Sequence, residues 1–191
     1  MFTAFPHFTL GYHGCDYDIG QSILGGRTQL LPSKNEYDWL GSGIYFWENT
    51  PQRAFDWAKA CSENPRLTKG RIKRPFVLGA VIEMQNCLDL TDITYMKILK
   101  EAYEILKSTL EENHIPLPRN TKTLRSLDCA VINAAVDLNR EIGQRNFDTV
   151  RGAYIEGEPI YPNAMIFDKT HIQICVRNVA CIKGYFLPFD Q

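Results

Sequence analysis

The chain has 191 residues, 45% of them hydrophobic, enough to bury a core in one domain and too apolar for a disordered segment. With 21 basic against 22 acidic side chains the net charge is −1, so no whole-chain field selects nucleic acid or a membrane surface. The six cysteines (15, 61, 87, 129, 175, 181) form no Cys-x-x-Cys pair or zinc-ligand spacing, and neither a leader-like start nor an apolar run of spanning length is present. The expectation is a cytoplasmic protein with free thiols, no metal and no membrane partner.

In chain order, residues 8–14 read as a short strand that ends on Tyr12-His13-Gly14. A loop from Cys15 passes into a short helix, 19–24, closed by Gly25-Gly26. Residues 27–37 are a polar loop leading to Asp38-Trp39-Leu40-Gly41-Ser42-Gly43-Ile44-Tyr45-Phe46-Trp47-Glu48, two glycines followed by a β-branched and aromatic strand. Asn49-Thr50-Pro51 caps the helix 51–62, with Ala54, Trp57, Ala58 and Cys61 at helical spacing. A basic run follows (Arg66, Lys69, Arg71, Lys73, Arg74), read as a solvated loop, with phosphate contact as the alternative. Residues 76–83 form a continuous apolar strand placed at the sheet centre, and 87–90 a second extended piece.

Thr91 or Asp92 then caps a long helix with an apolar stripe from Ile93 to Leu110. A second long helix, 124–142, carries Leu127, Ala130, Val131, Ala134, Ala135 and Leu138 on one face, and the two read as an antiparallel pair inserted between strands. Extended structure resumes over 147–155, turns at Glu156-Gly157-Glu158-Pro159, and ends in three β runs, 164–167, 170–176 and 181–186. Strands at both ends with helices between predict an α+β domain, with the helical insert at about 92–142. No dinucleotide fingerprint or phosphate loop is present, because Gly41-Ser42-Gly43 precedes its strand instead of following it.

Of the histidines at 7, 13, 114 and 171, His7 lies near a terminus and His114 at a helix end beside Glu111 and Glu112. His13 closes an apolar strand beside glycine, where another molecule's backbone has room to approach. The ordered set of His13-Gly14, then Gly41 through Phe46, then Ala54 with Phe55 or Trp57 in a helix resembles the nicotinamide-binding core of the ADP-ribosyltransferase superfamily. The similar branch contains the poly(ADP-ribose) polymerases, the diphtheria-type toxins and the RNA 2′-phosphotransferases. The match covers about the first third of the chain and leaves the helix pair without a counterpart.

That resemblance implies a split antiparallel sheet with flanking helices and NAD as substrate. By it, His13 bonds the adenosine ribose, the Gly14 backbone the carboxamide, and Tyr45 stacks on nicotinamide opposite Phe55 or Trp57. Ser42 beside Gly43 reaches the carboxamide oxygen. The third position of the family's His-Tyr-Glu set falls on a late strand. There Thr170, Ile172, Ile174 and Val176 alternate with His171, Gln173 and Cys175, so Gln173 takes the place of the glutamate. Glutamine hydrogen-bonds ribose hydroxyls but supplies no negative charge. Glu48, Glu156 and Glu158 are the candidate acids for activating an acceptor, with a solvated turn as the alternative for Glu156 and Glu158 and a place before a helix cap for Glu48; Arg151 pairs with an acid or with the NAD pyrophosphate. The implied activity is mono-ADP-ribosyl transfer from NAD to a macromolecular acceptor, protein or nucleic acid. It is the chemistry of bacterial and phage toxins and defence effectors, with an antitoxin or immunity protein as partner. RNA 2′-phosphotransfer, NAD glycohydrolysis and non-catalytic binding of NAD or ADP-ribose are the alternatives.

Overall fold

The computed structural model describes residues 8–68, 70–121 and 123–188; His7 and Lys69 lie outside them. Strand β1 (Phe8–Asp16) runs two residues past its expected end, because Asp16 is both its last residue and the cap of helix α1 (Tyr17–Leu24). The Asp16 carboxylate accepts the Asp18 N–H at 3.0 Å and the Lys73 and Arg74 N–H groups at 2.8 and 3.1 Å. One buried side chain thus starts a helix and pins the basic loop.

The glycine-flanked segment folds into β2 (Ile44–Glu48), and Asn49 takes the left-handed conformation (φ 53°) that turns the chain into α2 (Pro51–Glu63). The Thr50 hydroxyl donates back to the Glu48 carbonyl at 2.6 Å, so this cap works without a side-chain bond to the helix. Next come β3 (Pro75–Glu83) and β4 (Cys87–Asp89), then a 3-10 turn (Ile93–Tyr95) capped by Asp92. Helices α3 (Met96–Glu112) and α4 (Ser126–Glu141) precede β5 (Thr149–Tyr154), β6 (His171–Val176) and β7 (Ile182–Phe186).

The strands make one seven-stranded sheet in the order β4-β5-β6-β2-β1-β3-β7, so β2 is central and β3 lies one strand in from the edge. Every neighbouring pair is antiparallel except β4 beside β5, which is parallel. The class is α+β, as the clustering of strands predicts. A parallel pair needs a long return connection, and α3 and α4 supply it between β4 and β5. No helix among the described residues is long and apolar enough to cross a membrane.

Four expectations need correction. The strand read at 76–83 is not at the sheet centre, which β2 takes because β7 is the only strand outside β3. Residues 164–167 form no strand: Pro162 and the left-handed Asn163 (φ 64°) bend the chain, leaving only an isolated bridge between Pro159 and Phe167. The buried face of α4 is Cys129, Ile132, Ala135, Val136 and Asn139, rotated from the expected stripe. Asn139 turns inward because its amide donates to the Arg145 carbonyl at 2.6 Å, a partner that helical periodicity does not show. The sheet is continuous, not fully split. Between β1 and β2, however, only Gly11–Glu48 and Tyr12–Trp47 are in register, and beyond Tyr12 the strands have no further pair.

Alternation assigns the two faces. Ile44 and Phe46 join Leu78, Ile82, Ile174 and Val176 in the main core, with α1 contributing Ile23. On the other face Trp47, Tyr12 and Val77 pack on Ala54 of α2, while Tyr45 joins Leu40, Val150, Cys175 and Ile132 of α4. A trench bounded by Arg53 and Trp57 of α2 and by Trp39 and Tyr45 remains over the sheet.

Candidate functional site

The site begins where the β1–β2 ladder stops. Polar backbone groups alternate edges along a strand, and the Leu10 carbonyl accepts the Asn49 N–H at 2.9 Å on the β2 side. Tyr12 and Gly14 therefore face the same side, and for Gly14 that side is the open wedge. His13 fills part of the gap. Its ring Nδ1 lies 2.8 Å from the Tyr45 carbonyl, so Nδ1 carries the hydrogen and donates, leaving Nε2 a lone-pair acceptor. Burial holds the His13 pKa below its ordinary 6.5, against the bond to Tyr45, and keeps the ring neutral.

Gly14 has a packing reason as well. A Cβ there would lie 2.3 Å from the Ala54 carbonyl and 3.1 Å from the Trp57 ring, so glycine lets α2 sit directly on the strand. This close approach brings Trp57 to the wedge.

A cleft of about 450 Å³ opens over the wedge and trench. His13, Gly43, Tyr45, Trp57, Glu156 and Gln173, all singled out from sequence, line it. Trp39, Trp47, Arg53 and Tyr154 also line it, with Leu67, Thr68 and residues of the 31–38 loop, Asp38 among them. Tyr45 does more than offer a ring: its hydroxyl donates to the Gly41 carbonyl at 2.8 Å and accepts the Leu40 N–H at 2.9 Å. It thereby clamps its own glycine loop, where Gly41 is left-handed (φ 77°), and burial pushes the phenol far above its ordinary pKa. Phe55 and Trp57 both pack with the Tyr12 and Val77 cluster, but of the two Trp57 lines the cleft and Phe55 does not.

Gln173 stands opposite Trp47 on β2 and Gly152 on β5, on the face that alternation assigns it with His171 and Cys175. Its carbonyl oxygen accepts the Trp39 indole N–H at 2.6 Å, which fixes the amide and leaves its NH₂ as the donor end. Cys175, fully buried beneath, is pushed up to about 12 and is no nucleophile at neutral pH.

Other sequence-selected residues are not brought together here. The Ser42 N–H goes to Asn133 Oδ1 of α4 at 3.1 Å and its carbonyl accepts from Arg177 at 2.9 Å, behind the cleft wall. Glu48 and Arg151 lie in a separate cleft of about 950 Å³. There the guanidinium holds Glu48 at 2.8 Å and Asp89 at 3.1 Å. Burial opposes the Arg151 charge, but the two carboxylates outweigh it and raise its pKa. Glu158 is absent from the cleft lining, and its N–H is held by Asp168 at 2.9 Å.

Arg53 and His171 were not selected as site residues from sequence, nor were the wall residues Trp39, Trp47 and Tyr154. Arg53 on α2 reaches Glu156 at 3.0 Å, and His171 lies beneath, its Nδ1 2.7 Å from the Lys169 carbonyl and 3.9 Å from Glu156. Burial lowers the His171 pKa below 6.5, partly opposed by the Lys169 bond. The shared face with Gln173 was the available signal for His171; for Arg53 there was none, since its partner lies 103 positions away. Trp47 Nε1, Arg53 Nε and His171 Nε2 are the buried side-chain polar atoms without a partner among the described residues, and all three gather here. Trp47 and Arg53 line the cleft, and the His171 ring lies 6.1 Å from that of Trp47. No group of three potential metal ligands occurs among the described residues.

No protein-family model matches the chain, and no solved structure matches it. It is 28% identical over 193 aligned positions to the uncharacterized protein MJ0359 of Methanocaldococcus jannaschii, an alignment covering 90% of this chain and 83% of that protein.

Proposed function

We propose that the aromatic cleft binds NAD and that the chain transfers ADP-ribose from it to a macromolecular acceptor. One observation carries this reading: His13, Gly43, Tyr45, Trp57 and Gln173, dispersed over 161 positions of sequence (173 − 13 + 1), line one cleft where the β1–β2 ladder ends. A carboxamide needs one donor and one acceptor, and the backbone of Gly14 faces the wedge with both. Tyr45 and Trp57 provide aromatic walls for the pyridine ring. His13 Nε2 accepts from a ribose hydroxyl, and the Gln173 NH₂ donates to another.

In the reaction the ribose C1–N bond breaks with its electron pair moving to the nicotinamide nitrogen. A lone pair on the acceptor forms the new bond, and the proton it carried passes to solvent. Gln173 orients the ribose without adding negative charge, so transition-state stabilisation at this position is weaker than a carboxylate gives. That same lack of charge supports a second reading, a module that binds NAD without turning it over.

Incubation with NAD labelled on the adenylate separates the two. The first predicts free nicotinamide and label on an acceptor; the second predicts saturable binding with no nicotinamide released. Absence of any NAD binding overturns both.

A further inference from the structure

Residues 64–82 contain Arg66, Lys69, Arg71, Lys73 and Arg74 and no acidic side chain. Sequence alone leaves such a run as a solvated loop, but its placement is informative. Leu67 and Thr68, in the middle of it, form part of the rim of the aromatic cleft. The end of the run is held in place: Ile72 is buried against Ala58 and Cys61 of α2, and the Lys73 and Arg74 amides are bound by Asp16. Arg74 is engaged through its side chain, with Asp18 at 2.5 Å and over the Tyr17 ring at 4.1 Å. Arg66, Arg71 and Lys73 are exposed, and among the described residues none of the three is paired with a carboxylate.

A basic stretch unpaired with carboxylates, next to a cleft whose lining includes Trp39 and Tyr154, rings that the nicotinamide does not use, combines the two features that hold a single strand of nucleic acid. These are charges for the phosphates and aromatic faces for the bases. A protein partner with an acidic surface would satisfy the cations but has no use for the aromatic walls. From this juxtaposition we infer that the acceptor is a single-stranded nucleic acid whose phosphates dock on Arg66, Arg71 and Lys73. This rests on the NAD reading for the transfer step, but not for the docking itself. The phosphates of NAD are the other source of the same chemistry, and the experiment separates the two.

Fluorescent 20-nucleotide RNA and DNA single strands are titrated with the full chain at 50 and 200 mM salt, and NAD affinity is measured in parallel. Three phosphate contacts give a log–log salt slope of about −2, hence roughly tenfold or more weakening over this range. Arg66→Glu/Arg71→Glu should lose strand binding at least about tenfold while NAD affinity changes less than about twofold; Arg66→Gln/Arg71→Gln should fall between. Both positions are exposed, so unchanged melting temperatures exclude misfolding. Label from NAD should appear in the nucleic-acid fraction. Strand binding that is absent at 50 mM salt or indifferent to the substitutions overturns the inference. So does a charge reversal that weakens NAD instead, or label confined to protein. Strand binding without any NAD binding upholds the docking surface and removes the transferase reading.

Discussion

Two clefts of this protein differ in what their polar groups are doing. The larger, about 950 Å³, is lined by ions that satisfy one another: Arg151 with Glu48 and Asp89, Glu83 with Lys183 at 2.6 Å, Arg145 with Asp148 at 3.2 Å. At the smaller, about 450 Å³, Trp47 and Arg53 of the lining and His171 next to Trp47 carry the buried side-chain polar atoms that have no partner among the described residues. Buried groups left unpaired are costly, so their concentration at one place marks where a ligand has something to complete. Size alone would select the larger cleft, where the ions already satisfy one another.

Substitutions on either side sharpen that contrast. The largest effect is expected from His13→Ala, which removes the acceptor at the wedge: NAD turnover should fall about 100-fold, measured as nicotinamide release, with the fold intact. Unchanged turnover would make the two clefts equivalent. Arg151→Ala tests the other side. It leaves Glu48 and Asp89 facing each other, so it should cost about 2 kcal/mol in denaturant unfolding, yet leave NAD affinity within about twofold. A large loss of NAD affinity would move the site to the larger cleft. Gln173→Glu keeps an oxygen for the Trp39 indole and adds charge beside the ribose, so turnover should rise, on the order of tenfold. A decrease would argue that the NH₂ donor matters more than charge.

The smallest effect concerns pH. His13 and His171 both have folded pKa values held below 6.5 by burial, so the unfolded chain takes up protons that the fold refuses. Stability should therefore fall as pH drops below 6.5 toward the folded values, and gain nothing from these residues above it. Melting temperatures in a single buffer series test this, and His13→Gln should flatten part of the slope.

Local chemistry made much of this legible in the sequence. The β2–α2 unit follows from β-branched and aromatic residues running into Thr50-Pro51, and two-residue alternation placed Gln173 and His171 on the correct face of β6. What local pattern does not contain is pairing across long separations. Arg151 was free to be a pyrophosphate ligand until Glu48, 103 positions earlier, was seen to hold it. Ser42 looked available until Asn133 of α4 took its N–H, 91 positions on. Arg53 read as one more polar helix residue, because the acid that covers it lies beyond the insert. The face of α4 was misread for a related reason: Asn139 is polar by type but inward by partner.

The parallel pairing of β4 with β5 bears on which parts of the chain are dispensable. The α3–α4 segment has no counterpart in the resemblance that points to NAD, and a deletion experiment would target it first. Yet a tight turn cannot reconnect two strands that run the same way, so excising the helices would also forfeit β4 at the sheet edge. It would remove Asn133 too, whose side-chain oxygen accepts both the Ser42 N–H and a hydrogen bond from Arg177 at 3.0 Å. What reads as an accessory to the fold is the back support of the glycine loop, and minimal versions of this protein have to keep it.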